Sequence, residues 1–165
     1  MNIFLIILII IVLIFSITAL TGAPYVPSKK QELNEVFKKL YKLKVGDLLV
    51  DFGSGDGKVL RVAESFGAKA VGVEINPILV LLSRMRGQKV FLKDMFHFRF
   101  PKETTVVYLF GDSRDMKRII RYLRKESKRL GKPLYLISLA FQADGLEGVK
   151  FIRKHDPYFL YKITG

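Results

Sequence analysis

The 165-residue sequence contains no cysteine and only two histidines, and these absences exclude several kinds of site. Without cysteine, neither a disulfide framework nor a thiolate metal site can form. His97 and His155 are far apart in the sequence, so no zinc-binding set of side chains can be assembled, and we expect no bound metal. We expect each histidine to have a surface or structural role.

Charge is absent from the first 28 residues. An apolar run extends from Ile3 to Phe15 and, with mild interruptions, to Leu20, which approaches the ~20 residues that a helix needs to cross a bilayer. A cleaved signal peptide would begin with basic residues, and a buried core helix would be unusually apolar on all faces. We therefore expect a transmembrane anchor over residues 1–22 and one domain over residues 23–165.

The rest of the chain carries the whole net charge of +13. Lysines follow the apolar segment closely, at positions 29, 30, 38, 39, 42 and 44. Because positive charge beside an anchor stays on the cytoplasmic side, we expect a single-pass protein with its domain in the cytoplasm. The charge would also hold the domain against an anionic membrane surface. Nucleic acid is the alternative partner that such a charge could bind. The charge could also belong to a basic soluble protein that binds neither partner.

Beyond the anchor, strand and helix patterns alternate. Helices are predicted over residues 31–43, 58–66, 77–86 and 115–130, and strands over residues 48–51, 70–74, 89–92, 105–110 and 134–140. Two further strands, at 149–153 and 158–164, predict an antiparallel hairpin. This alternation indicates an α/β fold with a parallel sheet covered on both faces. The last of the four helices has a strongly basic face, which indicates either a solvated surface or a contact with membrane or an acidic partner.

The most informative stretch has glycines at alternate positions, Gly53, Gly55 and Gly57, directly after an apolar strand that ends with Asp51. Glycine lets a ligand approach the backbone closely and tolerates the positive φ of a tight turn. The next predicted strand ends on a single acid, Glu74. A carboxylate in that place is positioned to accept hydrogen bonds from ribose hydroxyls.

Spacing separates three kinds of nucleotide site that use such a turn. A P-loop needs four residues between its first glycine and the Gly-Lys pair, and then Ser or Thr. Here only three residues separate Gly53 from Gly57-Lys58, and Val59 follows, so the P-loop pattern is not met. The dinucleotide pattern G-x-G-x-x-G fits poorly, because Lys58 stands at its third glycine. An unrelated Gly-rich turn is the remaining alternative.

The G-x-G-x-G pattern preceded by Asp51 resembles motif I of the class I S-adenosylmethionine-dependent methyltransferases, and Glu74 resembles their ribose-binding acid. The resemblance implies a Rossmann-like class I methyltransferase sheet, mostly parallel with a C-terminal antiparallel hairpin, and S-adenosyl-L-methionine as cofactor. The segments 24–27 (Pro-Tyr-Val-Pro), Asn76-Pro77 and 93–96 (Lys-Asp-Met-Phe) resemble one smaller family. Its members are the membrane-anchored protein-lysine methyltransferases that modify the ATP synthase c subunit and the adenine nucleotide translocase, and their prokaryotic relatives.

The resemblance also implies residue roles. Asp51 would hold the amino end of the cofactor, Glu74 both ribose hydroxyls, and Asp94 the adenine amino group, with the proline segment around Tyr25 closing over it. Each acid has an alternative role as a surface or capping residue. The predicted cofactor-binding residues are Tyr25, Asp51, Gly53, Ser54, Gly55, Gly57, Glu74, Ile75, Asp94 and Met95.

The acceptor is less closely defined. The residues 110–113 (Phe-Gly-Asp-Ser) stand where enzymes that methylate DNA bases carry an Asn/Asp-Pro-Pro-Tyr motif, which counts against base-amine methylation. A lysine acceptor only has to lose a proton before it attacks, and Asp112 or Tyr108 could assist that step. The alternative is that both residues only shape the rim of the pocket. We expect methylation of a lysine in a membrane or membrane-associated protein. The alternatives are an RNA methyltransferase and a non-catalytic basic module that binds the cofactor and docks on membrane or nucleic acid.

Overall fold

The structure, a computed structural model, describes residues 2–6, 9, 29–110 and 115–165. Residues 3–6 and 9 are helical. Within the described ranges, no helix is both long enough and apolar enough to span a bilayer. Most of the anchor predicted over residues 1–22 lies outside those ranges, as do Tyr25 and Asp112, so the expectations placed on them stay predictions.

Helices and strands alternate along the chain as expected. A first helix α1 (Lys30–Glu35) widens into a π-helical turn (Val36–Leu40), and a 3-10 turn (Met95–His97) follows the third strand. The remaining elements are β1 (Leu48–Phe52), α2 (Lys58–Ser65), β2 (Lys69–Glu74), α3 (Pro77–Met85), β3 (Val90–Leu92), β4 (Val106–Phe110), α4 (Met116–Leu130), β5 (Leu134–Leu139), β6 (Val149–His155) and β7 (Tyr158–Ile163).

The seven strands form one sheet in the order β3-β2-β1-β4-β5-β7-β6. Strands β1 to β5 are parallel, while β7 is antiparallel to both β5 and β6. The mostly parallel sheet and the C-terminal hairpin are therefore confirmed. Because the chain order reverses between β1 and β4, the carboxyl end of β1 lies at a topological switch point, where open α/β sheets bind ligands.

Two apolar cores cover the two faces of the sheet. Alternation along β1 sends Leu49 to one face and Val50 to the other. On the first face, α1, α2 and α3 pack over Leu49, and on the second face α4 packs over Val50. All of β1 is buried, as expected for a central strand of a parallel sheet. This packing holds the carboxyl end of β1 in a rigid frame.

Two local features differ from the sequence-based expectation. The helix predicted over residues 31–43 ends at Leu40, because its last turn widens and the backbone N–H of Tyr41 donates to the Val36 carbonyl at 2.9 Å. The 3-10 turn over Met95–His97 falls in a stretch for which no helix or strand was predicted. The Asp94 side chain starts that turn by accepting a hydrogen bond from the backbone N–H of Phe96 at 2.9 Å.

Candidate functional site

The turn after β1 has all three glycines in the left-handed region, with φ of +74° at Gly53, +53° at Gly55 and +77° at Gly57. The backbone N–H of Gly53 donates to the Val73 carbonyl at 2.9 Å, which fixes the turn against β2. A Cβ atom on Gly53 would meet no other group of the described structure within 4 Å. The backbone at Gly53 therefore faces open space, as a ligand-binding turn requires.

Gly57 is required for a different reason. A Cβ atom there would collide with the Ser83 hydroxyl and lie 3.0 Å from Cγ of Gln88. Gly57 therefore lets the start of α2 pack closely on α3. Its predicted contact with the cofactor stays a prediction.

Ser54 also lies between elements rather than on the open side of the turn. Its side chain packs over Gly72 of β2, where an added Cβ would come within 2.7 Å of the Ser54 Cβ. The hydroxyl is buried and has no hydrogen-bond partner in the part of the chain that the structure describes. The structure thus gives Ser54 a packing role against β2, and its predicted contact with the cofactor stays a prediction.

Glu74 connects the turn to the end of β2. Its Oε2 accepts the backbone N–H of Gly55 at 2.9 Å, and its Oε1 accepts the backbone N–H of Asn76 at 2.8 Å. The residue is only 8% exposed. Each carboxylate oxygen keeps a second lone pair, so the group can still accept two ligand hydroxyls. Glu74 is therefore both a structural link and a candidate ligand acceptor.

Asp51 is the least satisfied acid of the site. It is 2% exposed, and its Oδ2 has no hydrogen-bond partner among the described residues. Burial raises the pKa of the Asp51 carboxyl well above its usual value, and the charges of Glu74 and Asp56 raise it further. A cationic donor at this position would satisfy the oxygen and offset the repulsion between the acids. The arrangement favours a ligand with a positively charged group.

Ile75 directly follows Glu74, the last residue of β2, and its side chain is half exposed. Asp94 follows β3, where it caps the 3-10 turn, and its Oδ2 lies 3.5 Å from Nδ1 of His97. Its alternative role as a capping residue is therefore observed, while its side chain stays 41% exposed and open to a ligand donor. Both residues follow strands at the carboxyl edge of the sheet, and their predicted contacts with the cofactor stay predictions.

The residues after Asp94 pack against α4. The guanidinium of Arg118 lies 3.8 Å from the ring centroid of Phe96, and the Phe96 ring meets the edge of Tyr122 at 6.1 Å. Such a cation–π contact stabilises an exposed loop by about 0.5–1 kcal/mol. Met95 is half buried against the core below α4. These contacts hold the loop that carries Asp94 in place.

Of the two residues proposed to assist the acceptor, only Tyr108 is described. It lies beside Asp51 in the register of β4 on β1 and is 2% exposed. Its ring belongs to the first core, 6.3 Å from the ring of Tyr158. The ring is therefore set within the core rather than on the rim.

Sequence reasoning missed two links that stabilise the turn. The Asp56 carboxylate accepts from Nη1 of Arg86 at 2.6 Å and from Nη2 of Arg61 at 3.2 Å, which ties the turn to α2 and to the end of α3. The Asn76 side chain accepts from the backbone N–H of Ile78 at 2.9 Å and caps α3. The Asn-Pro pair was the available signal for that cap. Nothing in the spacing of Arg61 and Arg86 indicated their shared partner.

Comparison with solved structures identifies the fold. An RNA methyltransferase from Salinibacter ruber, solved in complex with S-adenosyl-L-homocysteine, superimposes with a TM-score of 0.67. The match covers 84% of this chain and 93% of that chain at 24% sequence identity. The chain therefore has the fold of the S-adenosylmethionine-dependent methyltransferases, and the predicted Rossmann-like sheet is confirmed.

Within that fold, the sequence is similar to a particular set of enzymes, the lysine N-methyltransferases of the ATP synthase c subunit. Those of Xenopus laevis and Homo sapiens are 33% and 34% identical over 111 residues, which is 62% of this chain. The alignments cover 48% and 46% of the two relatives, so the chain spans about half the length of the curated relatives it matches. No family model matches the sequence.

Proposed function

We propose that this protein is an S-adenosylmethionine-dependent methyltransferase that methylates a lysine of a membrane protein. The observation that carries the proposal is the buried, unpartnered Oδ2 of Asp51 beside the open backbone of Gly53 and the carboxylate of Glu74. The similarity to enzymes named as lysine N-methyltransferases supports the choice of acceptor.

The chemistry of the site fits this cofactor. Asp51 would accept from the cofactor's ammonium group, which satisfies its free oxygen and neutralises its charge. Gly53 would allow the amino-acid part to lie against the backbone. Glu74 would accept both ribose hydroxyls with its free lone pairs, and the half-exposed Ile75 would pack on adenine. Asp94 would accept from the adenine amino group.

S-adenosylmethionine supplies an electrophilic methyl group on a sulfonium, so the protein's main task is positioning. The rigid turn and Glu74 would hold the reactive end in line with the acceptor, and correct placement supplies roughly 7–11 kcal/mol in favourable cases. The acceptor lysine has to lose its proton before attack. Asp112 remains the candidate residue for that step, and Tyr108, whose ring lies in the first core, is the weaker of the two.

We also propose that residues 1–22 anchor the protein in the membrane, with the domain over residues 23–165 on the cytoplasmic side. The uncharged first 28 residues and the lysines that follow support this topology. An anchored enzyme meets a membrane substrate at high effective concentration without any new contact. A lysine in a small membrane protein of the ATP synthase c-subunit type is therefore the acceptor that we propose.

The test is to incubate the full chain and radioactive S-adenosylmethionine with membranes of the source organism. We expect label in protease-sensitive material and methyl-lysine in the labelled protein by mass spectrometry. Deleting residues 1–22 should lower this labelling far more than it lowers cofactor affinity. Label in nuclease-sensitive material would instead identify an RNA methyltransferase, and bound cofactor without any transfer would identify a non-catalytic module.

A further inference from the structure

Helix α3 exposes most of its apolar side chains. Of its nine residues only Val80 and Ser83 are buried, whereas Leu81 is 59% and Met85 is 76% exposed. The neighbouring strand β3 adds two further exposed apolar side chains. We call this set the α3–β3 surface; it consists of Ile78, Leu81, Leu82, Met85, Phe91 and Leu92.

The α3–β3 surface is contiguous by geometry. The four α3 residues follow the spacing i, i+3, i+4 and i+7, which places them in one stripe along the helix. Among the strands that the structure describes, β3 pairs only with β2 and forms one edge of the sheet. Because side chains alternate along a strand, Leu92 lies on the α3 side of this edge and Phe91 on the other side, 5.3 Å from the ring of Phe98. The surface therefore wraps around the edge of the sheet.

Basic side chains border the α3–β3 surface, and the acids beside them are Asp94, which follows Lys93 and is 41% exposed, and Asp56, which pairs with Arg86. Residues 75–93 contain two arginines and two lysines but no Asp or Glu. Lys89 and Lys93, on either side of β3, are exposed and form no ion pair with any residue the structure describes. An apolar stripe bordered by unpaired cations is the composition of a segment that lies at the surface of an anionic membrane.

We propose that the α3–β3 surface docks on an anionic lipid bilayer, with its apolar side chains at the headgroup boundary and Lys89 and Lys93 at the lipid phosphates. The combination of apolar and cationic side chains argues for this occupant over others. A second copy of a chain with a net charge of +13 would be repelled. Nucleic acid would contact the cations but leave the apolar stripe exposed.

Docking in this way would orient the candidate site. Helix α3 begins at Pro77, directly after Ile75 and Asn76, so its first turn lies at the carboxyl edge of the sheet. A bilayer contact along α3 would bring that edge to the lipid surface. The inference goes beyond the proposed function, because it requires neither cofactor binding nor methyl transfer.

The absence of cysteine makes the test simple. The full chain carrying Leu81→Cys, labelled with an environment-sensitive fluorophore, is reconstituted with phosphatidylcholine vesicles that contain about 30% phosphatidylglycerol. The matched control is Lys125→Cys on the exposed face of α4. We expect a blue shift and quenching by doxyl-labelled lipid at position 81 but neither at position 125. An aqueous spectrum at position 81 on these vesicles would overturn the proposal.

A second comparison separates docking from burial within the protein. If the fluorophore at position 81 is already blue-shifted without vesicles, the surface is covered by the chain itself or by a second copy, and the proposal is wrong.

Replacing Lys89 and Lys93 together by Gln should reduce the ratio of docked to undocked protein, by about fivefold for each lysine. Replacing Lys125 and Lys128 together by Gln should reduce it less. Equal effects of the two pairs would show only general attraction by the net charge and would reject a specific surface.

Discussion

The carboxylate of Glu74 accepts the backbone N–H of Gly55 across 2.9 Å, joining residues nineteen positions apart. Its other oxygen accepts the backbone N–H of Asn76, at the start of α3. The acid proposed to bind ribose thus also shapes the turn that would receive the rest of the cofactor. Loss of its carboxylate should therefore affect stability and binding together.

Glu74→Ala should lower the free energy of unfolding by about 2–4 kcal/mol, because two backbone N–H groups lose a charged acceptor. Glu74→Gln should cost less, since its amide oxygen can still accept one of them. Urea denaturation measures both changes. Affinity for S-adenosylhomocysteine should fall in both folded variants, and unchanged affinity in either would remove Glu74 from the cofactor site.

Asp51→Asn should raise the melting temperature at neutral pH. The pKa of Asp51 is raised in the folded protein, so this carboxyl ionises less readily there than in the unfolded chain. The folded state therefore loses stability as the pH rises above the usual Asp pKa of about 3.9. The advantage of the variant over wild type should therefore grow from pH 4 to pH 7 and vanish at lower pH. Scanning calorimetry over that range measures it.

Asp47 supplies the matched control, because it is a buried aspartate with satisfied oxygens. It accepts from the backbone N–H of Lys44 at 3.1 Å and from the Tyr41 hydroxyl at 3.3 Å, and burial together with Asp47 raises the pKa of Tyr41 to about 12. Asp47→Asn should lower the melting temperature. An equal gain in both variants would mean that Asp51 is not under unusual electrostatic strain.

Gly57→Ala should destabilise the protein by about 2–4 kcal/mol, because the new methyl group overlaps Ser83 and the backbone is strained at positive φ. Gly87→Ala is the comparison, since Gly87 has a φ of +81° but no described neighbour within 4 Å of an added Cβ. It should cost only about 1–2 kcal/mol. Thermal melts of the two variants measure the difference, and equal losses would show that α2 and α3 are less closely packed than we describe.

The outline of the fold could be predicted because its signals are local. Leu48, Leu49 and Val50 form an apolar run typical of a strand buried on both faces, and Gly131 ends α4 where expected. The alternation of helices and strands then indicates the parallel sheet. The π-helical turn at Val36–Leu40 could not be predicted, because it depends on how the helix packs in the first core.

The candidate site was predictable in position but less so in the role of each residue. Asp51 and Glu74 come together because both follow strands that end at the same edge. The packing of Gly57 against Ser83 and the bridge from Asp56 to two arginines depend on how separate elements meet, which spacing does not encode. The burial of the Tyr108 ring was not predicted, although its mid-strand position, two residues after Val106 on the same apolar face, was the available signal.

Calorimetry with S-adenosylhomocysteine shows whether the open turn at Gly53 receives S-adenosylmethionine. Gly53→Ala and Gly46→Ala are closely matched, because both positions have positive φ, +74° and +94°, and no described neighbour within 4 Å of an added Cβ. Gly46 lies before β1, at the opposite edge of the sheet. We predict similar losses of stability, about 1–2 kcal/mol in each, and a loss of ligand affinity of at least tenfold in Gly53→Ala alone. Equal affinity in the two variants, or no binding by the wild-type chain, would mean that the cofactor does not bind at this turn.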